Sequence, residues 1–389
     1  MPSSRYCGFT GAVSDDWKDL GNWVEAGTET PLSSLPGSEP TVYDDTIELA
    51  SDMGFGPAAQ PVARITSGTY TVKGINGYED YAMFGGGYIA CNGRLTVSGN
   101  ANLTEWGLDN AVINGNCDVY TQWTQAFLSN LTIAGNFSVV GGSGMEELTN
   151  LAVAGDTWVA NISSLTGTFG TDQSDTFTAE WCYLDLDCTV KGPAVCTVLE
   201  PGVLANTIFE GDLTLSEFGT GAGFPSPIGR VDGTLTVTDS SLIDGGTFNG
   251  PVIYQVGGEL YGGTFHSTLD GQNLVVWGGT FNGEVHLTGN MSVITGGTFN
   301  AAVLVDGWLV NSGIFNGIVH VRGTGSVIEA VSGGTGQIWA WRDCQVYSAA
   351  YGQLPTYYMS REVEIVDEFG APMPGAGLIP RGSAQRIGP

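Results

Sequence analysis

The sequence predicts an all-β chain wound as a single-stranded parallel β-helix, a β-solenoid with coils of 16–20 residues. Three observations lead there. The chain holds 60 Gly in 389 residues, with 13% charged and 10% aromatic residues; ordinary domains have about 7% Gly and about 25% charged residues. That much Gly disfavours helix by about 1 kcal/mol per position against Ala, while the aromatic content is too high for a disordered chain. No strict three-residue Gly period occurs, which excludes collagen. The third observation is an internal repeat.

The repeat is clearest between Gly245 and Asn316. Gly245-Gly-Thr-Phe-Asn249 returns as Gly262-Gly-Thr-Phe-His266, Gly278-Gly-Thr-Phe-Asn282 and Gly296-Gly-Thr-Phe-Asn300, then as Ser312-Gly-Ile-Phe-Asn316. Phe248, Phe265, Phe281, Phe299 and Phe315 are thus 16–18 residues apart. A second motif, a β-branched strand followed by Gly-Asn or Gly-Asp, recurs at Gly99, Gly115, Gly135 and Gly155. Units this short bury nothing alone and must stack, one strand spacing of about 4.8 Å per coil. The Phe column is expected inside as a ring stack. Asn249, Asn282, Asn300 and Asn316 are expected to form an amide ladder beside it. Gly is expected wherever a corner needs φ > 0 or close backbone approach.

Residues 1–60 differ and are expected to form an N-terminal cap or attachment region. They carry Asp16-Trp17, Asn22-Trp23, a Pro-rich stretch through Pro36 and Pro40, and Asp44-Asp45-Thr-Ile47. This opening resembles the first unit of large extracellular β-helix surface proteins, a likeness that speaks to fold alone. Trp17 and Trp23 would cap the open end of the stack, since a bare terminal coil is an unpaired edge. The solenoid is expected over 61–345, with an irregular C-terminal extension over 346–389. There the pattern breaks from Trp339, a strand reads at Glu362–Val366, and the Pro-rich final twenty residues are expected to lack regular structure and to serve assembly contacts. Trp339, Trp341 and Tyr347 are candidate surface contacts.

Charge and composition narrow the partners. The formal charge is −28, with 12 Lys and Arg. Polyanion binding needs clustered cations, so neither nucleic acid nor an anionic membrane is expected. No 18-residue apolar run is present, so no membrane insertion is expected. The N-terminus lacks an apolar signal core, so no secretory signal is expected. The seven Cys make no CxxC pair and have no nearby His, which reads as buried free thiols, with no metal and no cofactor.

Candidate chemistry is sparse. Asp185 and Asp187 share a strand face and are the one weak catalytic pair, at a separation compatible with glycoside hydrolysis. His286 and His320 share a phase, two coils apart with Leu304 between, too far to share zinc. No His is seen beside a paired acid. The fold class resembles that of pectin-cleaving right-handed β-helix enzymes, but their combination of an Asn-x-Asp unit with a Gly-His-Gly and an Arg-x-Lys is missing. Surface Trp and Tyr favour sugar or protein contact, with Trp106, Trp123, Trp158, Trp277 and Trp308 as candidates.

Together, the Gly-rich solenoid, the cap and the acidity resemble β-helical bacteriophage virion proteins: tail spikes, tail fibres and capsid decorations. The likeness is architectural and spans residues 60–345. It implies a non-enzymatic structural protein on the virion exterior, a homo-oligomer with a trimer favoured. Such a protein docks to other virion proteins and meets host surface polysaccharide. A polysaccharide depolymerase of the tail-spike kind and a bacterial surface adhesin, extracellular or on the cell surface, are the alternatives.

Overall fold

The computed structural model describes residues 2–9, 13–14, 16–26, 28, 30–49, 62–77, 88–104, 107–121, 127–142, 147–182, 186–197, 204–218, 226–322, 326–340, 344–347, 356–359, 364–366 and 385–387. Among them there is no α-helix, and one 3-10 turn at Leu20–Asn22. The protein is an all-β solenoid of stacked, mostly parallel strands. It divides into two compact units, Met1–Ala194 and Val195–Pro389.

In the first unit each coil contributes to three parallel ladders. The first ladder runs through Val62–Ile65, Tyr88–Cys91, Gly107–Asp109 and Phe127–Ser129. The second runs through Thr69–Val72, Arg94–Val97, Ala111–Ile113 and Thr132–Ile133. The third begins at Ser3–Phe9 and continues through Tyr43–Leu49, Gly74–Gly77, Ala101–Thr104, Cys117–Tyr120, Phe137–Val140, Thr157–Ala160 and Phe177–Glu180. Alternate residues point inward on every strand. Leu95 and Val97, Ala101 and Leu103, and Cys117 and Val119 are accordingly buried.

Corners between the second and third ladders explain the Gly-Asn motif. The Gly135 amide donates to the Gly115 carbonyl of the preceding coil at 3.1 Å, and the Asn136 amide donates to Asn116 Oδ1 at 3.0 Å. A Cβ on Gly135 would stand 2.7 Å from that same carbonyl oxygen. Close approach, rather than a left-handed backbone, is what demands Gly here. The side-chain bond repeats from Asn100 to Asn116, from Asn136 to Asp156 and from Asp156 to Thr176, so each coil caps an amide of the next. A second column precedes each strand of the second ladder. Asn110, Asn130 and Asn150 have φ of 52°, 56° and 55°, in the left-handed region that Asn tolerates best after Gly. Asn150 Nδ2 donates to Asn130 Oδ1 at 2.8 Å.

The N-terminal end is closed in two ways. Trp17 and Trp23 are fully buried and meet edge to face at 4.6 Å. Trp23 Nε1 donates to the Trp17 carbonyl, and Trp17 Nε1 to that of Pro36. Strand Trp23–Glu25 pairs antiparallel with Ser3–Phe9 on the edge that the coil stack leaves open. Asp45 is also buried; it accepts from Arg5 Nε and Nη2 at 2.6 and 2.8 Å, and Asp44, next along the strand, faces the other way. Parallel stacking therefore starts at residue 3, well before residue 61, because Ser3–Phe9 already belongs to the third ladder.

The second unit has the same three ladders. In the second ladder Thr247-Phe248, Thr264-Phe265, Thr280-Phe281, Thr298-Phe299 and Ile314-Phe315 pair in register. The five rings are buried and stack with centroids 4.7–4.9 Å apart and interplanar angles of 5–17°. The second Gly of the repeat has a mechanical role: Gly279 has φ of 118°, and a Cβ there would press on the Phe281 ring at 3.2 Å. The Asn column lies outside. Asn300 Nδ2 donates to Asn282 Oδ1, and Asn316 Nδ2 to Asn300 Oδ1, both at 2.8 Å. The ladder stops below Asn282, because His266 occupies the next position; Asn249 donates instead to Asp232.

The C-terminal region departs from the expectation of a broken pattern. Gln337–Ala340, which holds Trp339, is a regular strand of the third ladder, and Thr356–Met359 pairs parallel to it. Gln345–Tyr347 and Glu364–Val366 extend the first ladder. Gln385–Ile387, within the segment expected to lack regular structure, pairs antiparallel with Thr356–Met359. It is a Pro-free stretch between Pro380 and Pro389, so all its amides can donate.

Two measurements check this packing. Phe281→Asp removes a buried ring, worth about 3–5 kcal/mol on truncation, and adds a buried charge. Asn282→Ala loses two exposed side-chain contacts, the bond from Asn300 at 2.8 Å and the one with His266 at 3.4 Å, each worth about 0.5–1.5 kcal/mol at most. Chemical denaturation should find the first variant unfolded and the second close to wild type. Second, all seven Cys are buried thiols outside any disulfide, and burial pushes the Cys91 and Cys182 thiols up to about 12. A disulfide-exchange reagent at pH 8 should titrate no thiol in the native protein and seven in guanidinium.

Candidate functional site

The residues expected at the surface are placed as follows. Trp339 is half-buried and lies 5.6 Å from the His320 ring, ring centre to ring centre. Tyr347 is half-exposed on the first ladder, and Trp341 is outside the described residues. Asp187 is exposed opposite Thr166, while Asp185 also lies outside the described residues. Trp106 and Trp123 are outside them as well, and Trp308 is described only as part of strand Val303–Val310. Trp158 and Trp277 are exposed.

Trp277 belongs to a constellation that the sequence reading missed. The residue before each Gly-Gly pair forms a column in register: Asp244, Tyr261, Trp277, Thr295. Tyr261 and Trp277 stack at 5.8 Å with 13° between their planes. Glu259 Oε2 accepts from both, from the Tyr261 hydroxyl at 2.6 Å and from Trp277 Nε1 at 2.8 Å. The hydrogen bond to Glu259 raises the Tyr261 pKa above the usual phenol range, reinforced by burial and by the charges of Glu259 and Asp244. Trp277 is 47% exposed although its one donor is satisfied. Its far face looks toward Thr295, too small to cover it. The group is a fixed apolar platform bordered by two carboxylates. The signal was legible in the 16-residue step from 261 to 277, which matches the Phe265 to Phe281 step.

A second feature lies on the outer face of the third ladder. Asp270, His286, Leu304, His320 and Trp339 stand in register on successive coils. His286 Nδ1 is 3.0 Å from Asp270 Oδ1, and its Nε2 is 3.6 Å from Glu284 Oε2. This corrects the expectation that no His stands beside paired acids: Asp270 is 16 residues away in sequence but one coil away in space. A cavity of about 320 Å3 opens here, lined by Glu284, His286, Ala302, Leu304, His320 and Arg322. Among the described residues no His, Cys, Asp and Glu group could hold a metal ion. No helix among them is long and apolar enough to cross a membrane.

No family model, no curated protein and no solved structure matches this chain.

Proposed function

We propose that this chain is a non-enzymatic structural protein of a virus particle's exterior, a spike, fibre or decoration that presents a rigid β-solenoid to glycans of the host surface. The observation that carries the glycan part is the Tyr261–Trp277–Glu259 platform. An exposed indole whose N–H is already bonded to a fixed carboxylate loses little freedom when a flat apolar face stacks on it. Glu259, bonded to the indole N–H, borders the edge of that ring, within reach of the hydroxyls of a stacked sugar. The virion part rests on the architectural resemblance of residues 60–345, and with it the expectation of a homotrimer that docks to other virion proteins. A stack of ladders suits that role, because stability is distributed over many equivalent interfaces.

A glycan array of host surface polysaccharides tests the reading. Binding is expected, and Trp277→Ala should weaken it about thirty-fold, the loss of an anchor worth about 2 kcal/mol. Unchanged binding in that variant, or release of reducing ends from the polysaccharide, contradicts it. Mass spectrometry of purified particles should find the chain, and sedimentation should find a trimer.

A further inference from the structure

Like side chains fill two stretches of column in the second unit, Phe248 to Phe315 and Asn282 to Asn316. The outer column of the third ladder breaks this rule. It places a ring at His286, a short aliphatic chain at Leu304, and rings again at His320 and Trp339. The two imidazoles stand two coils apart, about 10 Å. Between them the coil carries the short Ala302 and Leu304 outward, with Asp306 beyond them, and the cavity of about 320 Å3 opens there. That volume falls at the small end of ligand sites, about 300–1,000 Å3. It amounts to a column of rings with one ring left out.

The walls of the slot are chemically opposed. On one side Glu284 is 59% exposed and offers acceptors, beside a His286 ring held by Asp270. On the other, Arg322 is 55% exposed, and its Nε lies 3.9 Å from Asp306 Oδ2. Burial, and then the charge of Arg322, holds the His320 pKa below the usual imidazole range. Its neutral ring therefore offers one donor and one acceptor at pH 7. A carboxylated ligand would meet Glu284 and Asp306, and an ammonium would meet Arg322. An uncharged ring that is apolar on its faces and hydroxylated at its edge meets no like charge.

We infer that this slot is a subsite for one uncharged pyranose unit, its ring lying between His286 and His320 over Leu304, with hydroxyls donating to Glu284 and accepting from Arg322. The inference rests on the glycan-attachment reading and names its ligand class, at a site on a different ladder from Trp277.

The chain has three histidines, which makes imidazole NMR a direct test. His266, beside Asn282 on the second ladder, is the internal reference. Cellotetraose, mannotetraose and galactotetraose are titrated as neutral probes, tetragalacturonate and tetraglucosamine as charged ones. At least one neutral probe should move the His286 and His320 signals saturably and leave His266 in place, with charged probes at least ten-fold weaker. Leu304→Trp supplies the missing ring and should abolish the shifts. Arg322→Gln, at an exposed position, should weaken binding about ten-fold and serves if Leu304→Trp fails to fold. Three outcomes overturn the inference: no shift with any neutral probe, equal shifts with charged probes, or shifts that survive in both variants. Neutral-glycan binding that is lost in Trp277→Ala yet leaves His286 and His320 unmoved refutes the slot while sparing the attachment reading.

Discussion

Parallel backbone hydrogen bonds between successive coils hold equivalent residues about 4.8 Å apart, and the rest of this structure follows from that spacing. At such a distance aromatic rings stack within their favourable range, and amides of identical side chains reach one another. The Phe248 to Phe315 column and the Asn282 to Asn316 ladder are both consequences. The same spacing leaves no room for a Cβ where two corners touch, as at Gly135. It also makes the surface columnar, so that a substitution in one coil creates a local feature: a platform where Trp277 follows Tyr261, a slot where Leu304 interrupts two imidazoles.

Stacking of this kind leaves open strands at its ends, and open parallel edges invite association. The third-ladder edge is finished alike at both. Trp23–Glu25 covers Ser3–Phe9 in the first unit, and Gln385–Ile387 covers Thr356–Met359 in the second, each antiparallel to the terminal strand of the third ladder. Reversing direction at the last strand ends the repeat, because the covering strand cannot continue the parallel register. Two buried Trp complete the N-terminal closure with their own N–H groups satisfied.

Much of this was legible in the sequence wherever a residue type recurs at the coil period. The Phe and Asn columns, the Gly-Asn corners and the fold class are in that group. Columns whose chemistry changes from coil to coil were harder to read. Asp270 and His286 are different residue types 16 positions apart, so no motif links them, although the register pairs them. Tyr261 and Trp277 differ in type as well, yet each directly precedes a Gly-Gly-Thr-Phe unit, so their step of 16 residues was readable. At the C-terminal end the Pro content of the whole segment masks the strand, because pairing needs only three Pro-free residues such as Gln385–Ile387. Where Asp185 and Asp187 are concerned, a shared strand face was readable, but with 40 acids in the chain it carried little information.

The central claim is that equivalent residues of consecutive Gly-Gly-Thr-Phe repeats stand one coil apart in register. Paired cysteines test it most directly, since a disulfide needs Cα atoms about 4.4–6.8 Å apart and cannot bridge more than about 7 Å. Asn282→Cys with Asn300→Cys replaces exposed side chains that already touch, whereas Asn282→Cys with Asn316→Cys spans two coils, about 10 Å. Mild oxidation of the folded protein should close the first pair and leave the second open. Closure of the second pair, or failure of the first in a folded protein, would contradict the account.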